Sequence, residues 1–395
     1  MNSSSTYQFS HTPLLDRRRS DNLTFGVLST YPPTPCGLAN FSAALADGLS
    51  STGAEVNVVR IADGTPSRSA RVIGELVNGS PASVAACSDL LGGSDVAVIQ
   101  HEFGVYGGTD GDEVVDILGA LEIPSIVVAH TVPNDPTAHQ RSVLQAVTTL
   151  ADHVVVMSES ARTRLCALFG VEPRKVTTIA HGATVAASTH TNRSGRPTLL
   201  TWGLIGPGKG IERVIDSMGT LHTLSGNPRY LIAGRTHPKV LAAEGEAYRE
   251  ARIEQARRTG VAAHVQFDAS YRDVQSLSSL VQSASVVVLP YDSTEQVTSG
   301  VLVDAVAAGR PVIATAFPHA VELLAGGAGI VVAHDDPEAM TTAIHSVLTR
   351  PRLAGAMAAE ARRIAPAMAW PVIAGRYQTL AQRLLATQSK RTWLS

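Results

Sequence analysis

Cysteine is scarce in this chain, and its three residues, Cys36, Cys87 and Cys166, stand far apart. An odd number at wide spacing makes neither a disulfide framework nor a zinc site, and it points to a reducing compartment. No apolar run reaches the roughly 18 residues that a transmembrane helix needs. The opening "MNSSSTYQFSHTPLLDRRRS" has no apolar signal core and reads as a flexible tail over 1–20. Arg17 to Arg19 in that tail support a weak peripheral contact with an inner membrane face at most, so a cytoplasmic protein is expected. A basic surplus is missing too: 32 Lys+Arg stand against 34 Asp+Glu, a net charge of -2, which argues against a nucleic-acid protein. Neither the dinucleotide fingerprint G-x-G-x-x-G nor the phosphate loop G-x-x-x-x-G-K-[ST] occurs where a strand would feed it.

What is there is repetition of one pattern. At 395 residues the chain is too long for a single core, and two domains are expected. Runs of strand length at 23–29, 55–61, 95–101, 124–130 and 153–157 are nearly continuous in apolar residues, as in parallel strands covered on both faces. Helix-length stretches such as "GLANFSAALADGLSSTG", closed by Gly53, lie between them. A polar stretch, "VAASTHTNRSGRPT", then interrupts, and the alternation resumes at 198–204, 229–234, 264–268, 285–290, 310–315 and 328–333. The expected class is α/β, with two doubly wound parallel-sheet domains. Their expected bounds are 21–185 and 198–368, with a linker at 186–197 and a last helix over 369–395 that crosses back to the first domain.

In such sheets ligands sit beyond the carboxyl ends of the strands, so the polar residues just after each run are the candidates. The first run leads into a Pro-rich loop ending at Gly37, whose backbone is open to a phosphate or hydroxyl; an ordinary turn is an equal reading. Asp63 falls too late after the second run to hold a dinucleotide ribose, which disfavours a dehydrogenase. His101, His130 and His181 each stand at a run's end, and Glu102 is placed to orient His101 or bind substrate. A lone histidine is usually structural, but three at one sheet edge are harder to dismiss. In the second half, "GLIGPGKGIERVI" sets Gly203, Gly206, Gly208 and Gly210 around Lys209, a credible diphosphate cradle. Arg235 and His237 follow the next run, and the fork of an arginine suits phosphate. Last, "LPYDSTEQVTSG" leads into an apolar helix holding one acid, Asp304, eight residues after Gln296. A buried carboxylate without a partner is costly. A ribose whose hydroxyls it accepts explains it, with the N–H groups of Ser299 and Gly300 on phosphate. The competing reading has Asp304 facing solvent or paired with Arg310.

At these residues the chain resembles the retaining glycosyltransferases of family 4 (group 1), which have the GT-B fold of two Rossmann-like domains facing across a cleft. The resemblance runs from about Leu23 to Leu385 and is strongest in the second domain. The family's E-x7-E pair becomes Q-x7-D here, with Gln296 and Asp304 in register with "AVAAGRPVIAT". The match is nearest to a branch reading "GATHP…GE.YR…PY…Q.TSG.L", met here by "GRTHP", "GEAYR", "LPY" and "QVTSG". The resemblance implies a hexose, mannose or glucose, moved from a donor of GDP-mannose or UDP-glucose type to a hydroxyl acceptor. That acceptor would be a glycan, a lipid-linked precursor or a small molecule. It implies retention of configuration without a covalent intermediate, no metal and no cofactor beyond the donor. It gives His130, Lys209 and Gln296 catalytic positions. Gly37, Gly206, Lys209, Arg235, Ser299, Gly300 and Asp304 would hold the donor, and His101, Glu102 and His130 would meet substrate. The domains would close about the linker. A non-catalytic nucleotide-sugar binder remains open, as does an epimerase using Glu102 and Glu295 as acid and base.

Overall fold

The computed structural model describes residues 22–185, 195–270 and 272–392. The expected tail over 1–20 and residues 186–194 of the expected linker lie outside them. Seven strands make the first sheet: β1 (Thr24–Ser29), β2 (Glu55–Ile61), β3 (Val72–Leu76), β4 (Val96–His101), β5 (Ser125–Ala129), β6 (His153–Val156) and β7 (Val176–Thr178). Six make the second: β8 (Thr198–Trp202), β9 (Arg229–Ala233), β10 (Val265–Asp268), β11 (Val286–Leu289), β12 (Val312–Thr315) and β13 (Gly329–Val332). The orders are β3-β2-β1-β4-β5-β6-β7 and β10-β9-β8-β11-β12-β13, every pairing parallel. Both orders reverse direction once, between β1 and β4 and between β8 and β11, and each reversal opens a crevice at the strands' carboxyl ends.

The apolar runs are continuous because both faces of each sheet are covered. In the first sheet, Val27 and Val58 belong to one cluster and their neighbours Leu28 and Val59 to the other, as the two-residue period requires. Strands β4 and β5 are buried along their whole length. The closing helix, Trp370–Thr392, sends Ile373, Ala374 and Tyr377 into the cluster of Phe25 and Val27, so it packs on the first domain.

Two strands escaped the sequence reading. The edge strand β3, "VIGEL", is only half-buried and carries Gly74 and Glu75, so it lacks an apolar run. Strand β7 has three residues, two of them threonine. Asp63, considered and rejected for ribose, has a different job. Arg60 is fully buried. Its guanidinium bonds Asp63, Glu75 (2.7 Å), Thr34 Oγ1 (2.8 Å) and Tyr31 O (3.1 Å), which pins the loop between β1 and Gly37 from behind.

The domains also touch directly. Ser158 Oγ donates to Val297 O (2.6 Å), and Val297 sits within the first domain's apolar cluster. The Glu322 carboxylate accepts the amides of Glu159 (2.8 Å) and Ser160 (3.0 Å), capping a first-domain helix from the second domain. Arg164 donates to Val132 O (3.0 Å) and Glu295 O (2.9 Å), and its other nitrogen pairs with the Glu295 carboxylate at 3.3 Å.

Candidate active site

The helix Gly300–Ala307 organises the cleft. Ser299 caps it, its hydroxyl accepting from Leu302 N (3.3 Å). The sequence reading had offered the Ser299 N–H to phosphate. The structure corrects this: that N–H donates to His319 Nδ1 at 2.8 Å, and Ser299 is 3% exposed. The amides left for an anion are the next two, Gly300 and Val301, which have no partner among the described residues. Gly300 is required by its neighbour, since a Cβ there would come within 2.9 Å of His181 Nε2. Asp304 stands four residues on, on the same helix face as Gly300, and so looks toward the first domain. Its carboxylate has no hydrogen-bond or ion-pair partner among the described residues, which leaves the Arg310 pairing unmet. Solvent still touches Asp304, yet the surrounding protein pushes its pKa up to about 7 by burial. Gln296 lies in the loop before the helix, its amide donating to Thr298 O at 3.0 Å and bracing the turn.

The glycine loop after β8 lies beside this helix. Gly210 (φ 61°) begins the helix Ile211–Leu221, and a Cβ on it would run into Pro290 O. At the end of β9, Gly234 (φ 151°) lets two backbones meet, since a Cβ would strike Gly203 O. Gly206 is buried, with Val240 3.1 Å from where its Cβ would stand. Lys209 Nζ sits 4.3 Å from the Tyr291 ring centroid and makes no ion pair or hydrogen bond among the described residues. Burial lowers its pKa. Tyr291 stacks in turn on Phe317, 5.5 Å between centroids. Arg235 follows β9 with its side chain exposed.

The first domain faces this with aromatic and imidazole rings. Phe41, one turn into the helix that Gly37 begins, makes edge contacts with His130 (4.9 Å) and His181 (5.0 Å). Gly37 itself is exposed, with open space where a Cβ would go. His130 Nε2 bonds Gln100 Oε1 at 2.7 Å, and its backbone amide donates to His101 O (3.0 Å). His101 is buried, and its Nδ1 has no partner among the described residues. Glu102 accepts from Thr131 Oγ1 (2.7 Å) and Phe103 N (3.1 Å); burial raises its pKa, and the charge of Lys239 on the second domain opposes the rise. His130, His181, Gly300, Ser299 and His319 therefore form one continuous wall across the two domains. Of the two carboxylates an epimerase would use, Glu102 accepts from Thr131 and Glu295 pairs with Arg164.

Burial holds His101, His181 and His319 near pKa 4 and His130 near 3, so all four are neutral at physiological pH. His181 donates from Nδ1 to Gly182 O (2.6 Å), which leaves Nε2 as an acceptor. His319 has the opposite tautomer, with its proton on Nε2. The linkage sign follows from the unfolded pKa of about 6.5: below it the unfolded chain takes protons that these rings refuse when folded. Stability is therefore expected to fall as pH drops from about 6.5 toward 4. Urea midpoints at about pH 7 and about pH 5 check this, the lower pH giving the lower midpoint.

His319, Tyr291 and Phe41 were not singled out for the site from sequence. His319 is the second residue of the short helix Pro318–Leu324, four residues past β12, and nothing in its local sequence marks it.

Residues 196–350 match a family model described as "Glycosyl transferases group 1". No curated protein matches the chain in sequence. Among solved structures it resembles HepE of Anabaena, crystallised with UDP: TM-score 0.69 and 17% identity, covering 93% of this chain and all of that one. Sucrose-phosphate synthase of Thermosynechococcus elongatus gives 0.69 and 16%, over 93% and 100%. A glycosyltransferase of Rickettsia africae gives 0.71 and 13%, over 93% and 99%. The fold is GT-B. These neighbours span both domains, whereas the family match lies within the second, where the glycine loop, Lys209 and Asp304 lie.

Proposed function

We propose that this protein is a retaining glycosyltransferase that moves a hexose from a nucleotide-diphosphate sugar to a hydroxyl acceptor without a metal. One observation carries the reading. An unpartnered carboxylate, Asp304, lies one turn behind two open helix amides on the face turned to the first domain. A ribose hydroxyl pair fits the first and a diphosphate the second. The segment that matches the group 1 family contains both.

In this mechanism the donor diphosphate lies along the Gly300 and Val301 amides, with Lys209 and Arg235 facing it. Its negative charge grows as the glycosidic bond breaks, and these fixed donors stabilise that growth without reorganising. The leaving diphosphate stays on the reacting face and takes the acceptor's proton, so the protein need supply no charged base. The neutral imidazole of His130 suits contact with the sugar, and Gln296 holds its loop rather than a charge. The acceptor lies against Glu102 and the Gly37 helix, with His101 buried behind Glu102. UDP and UDP-glucose are bound by the Anabaena neighbour, and the same class of donor, or its GDP-mannose counterpart, is proposed here. Three free cysteines suit the cytoplasm, where such donors are made; no helix among the described residues is long and apolar enough to cross a membrane.

The test is a thermal-shift screen against UDP, GDP, ADP and their sugar conjugates. A donor at 100 times its dissociation constant should stabilise by about 2.7 kcal/mol. One nucleotide should shift the wild type, and that donor should hydrolyse slowly without acceptor. A shift without any turnover would make the protein a nucleotide-sugar binder instead, and no shift at all would remove the donor site.

A further inference from the structure

The five residues from Gly245 to Arg249, "GEAYR", lie outside the site described above, and we infer that they position its diphosphate cradle. This rests on the donor-site reading, because the cradle is the pair of loops that follow β8 and β9.

Each polar side chain of the segment reaches one of those loops or the helix that one of them feeds. The Arg249 guanidinium donates to Gly234 O at 2.6 Å and to Glu246 at 3.2 Å. Glu246 in turn accepts the hydroxyl of Thr236. The chain is thereby held on both sides of Arg235. Tyr248 donates to Glu212 Oε2 at 2.9 Å, and Arg252 reaches the same carboxylate at 3.4 Å. Glu212 is the second residue of the helix Ile211–Leu221, which starts two residues after Lys209. So one short segment braces both cations of the cradle, one loop through its backbone and the other through its helix.

The loops are also tied to each other. Ile205 N donates to Arg235 O (2.8 Å) and His237 N to Ile205 O (2.8 Å), so displacement of one loop moves its neighbour. The positive-φ glycines at 203, 208, 210 and 234 leave these loops few side chains of their own to fix them. The restraint must come from outside, and the Arg249 side chain, 11% exposed, supplies a shielded fork rather than a loose surface pair. Glu246 is more exposed and acts mainly through Thr236, which is buried. Arg249 and Glu246 bond the backbone and hydroxyl on either side of Arg235 and act through it, while Tyr248 acts on Lys209 through Glu212.

The readout is the preference for diphosphate over monophosphate, taken by calorimetry on the full chain with UDP and UMP and with GDP and GMP. Arg249→Lys and Glu246→Gln should bind the monophosphate like wild type and lose about tenfold on the diphosphate, with a smaller loss in Tyr248→Phe. A lowered melting temperature with equal weakening of both ligands would mean a merely structural segment and would overturn the inference. Hydrogen exchange at the Ile205 and His237 amides of the nucleotide-free chain is the second measurement. Faster exchange in Arg249→Lys supports the brace, and unchanged exchange overturns it whatever the ligand. If the wild type binds no nucleotide while those amides respond to the substitution, the donor reading fails and the brace stands.

Discussion

Asp304→Asn should make the protein more stable and, at the same time, worse at holding a nucleotide sugar. The two effects have one cause. The carboxylate is pushed up to about pKa 7 by burial, and no described residue compensates it. An unfolded aspartate titrates near 3.9, so between about pH 4 and 7 the folded chain holds a proton that the unfolded chain has released. Folded stability from this group is thus present below about pH 4 and is lost as pH rises through 7. The amide removes that loss, and at about pH 8 the variant should gain on the order of 2 kcal/mol, less than a wholly dry carboxylate would give. A donor's ribose hydroxyls favour the charged form, so the wild type should bind donor more tightly as pH rises through about 7. Asparagine offers one acceptor without charge. Losing charge-assisted bonds of about 1.5–3 kcal/mol means roughly tenfold to hundredfold weaker binding, with no pH dependence in that window. Calorimetric titration with the nucleotide at several pH values, beside urea melts of both proteins, gives both numbers. A variant that is less stable and binds unchanged would mean that Asp304 is a structural residue.

The same physics explains what could be seen in the sequence. Strands β4 and β5 were legible because helices cover both sheet faces, so their centres, Val96–Ile99 and Ile126–Ala129, are unbroken apolar runs. Strand β3 was not, because an edge strand is half-wet and carries Gly74 and Glu75. The glycine loop stood out because Gly203, Gly208 and Gly210 take positive φ, a constraint that selects glycine and so leaves a trace in the sequence. Asp304 stood out for a different reason, as the one acid in an apolar helix. The partner of the Ser299 N–H left no such trace. His319 is twenty residues further on and comes alongside only because β12 lies next to β11 in the sheet. Arg60 was hidden in the same way. Its four partners come from three separate segments, and nothing in "EVNVVRI" says that its arginine is fully buried. Residues that hold a ligand tend to break a local pattern, whereas residues that hold those residues need the fold before they can be found.

Lys209→Met should cost more in turnover than in binding. Methionine keeps an apolar stem of similar length but gives up the Nζ contact with the Tyr291 ring, and removing an ammonium that pairs with no described carboxylate should leave stability nearly unchanged. What goes is one cation beside a diphosphate whose charge grows as the sugar leaves. Removing one such donor from other active sites lowers kcat by roughly a hundredfold to a thousandfold, about 2.7–4 kcal/mol. Ground-state binding should lose less, because the diphosphate carries less charge against Lys209 before the bond breaks. Lys209→Arg separates charge from shape: it keeps the positive charge but replaces a compact ammonium with a broad planar fork, so partial turnover is expected. Donor hydrolysis measured under saturating and limiting donor resolves the two terms. If kcat were unchanged and only donor affinity fell, Lys209 would serve the ground state, and stabilisation of the leaving group would have to come from Arg235 and the Gly300 and Val301 amides.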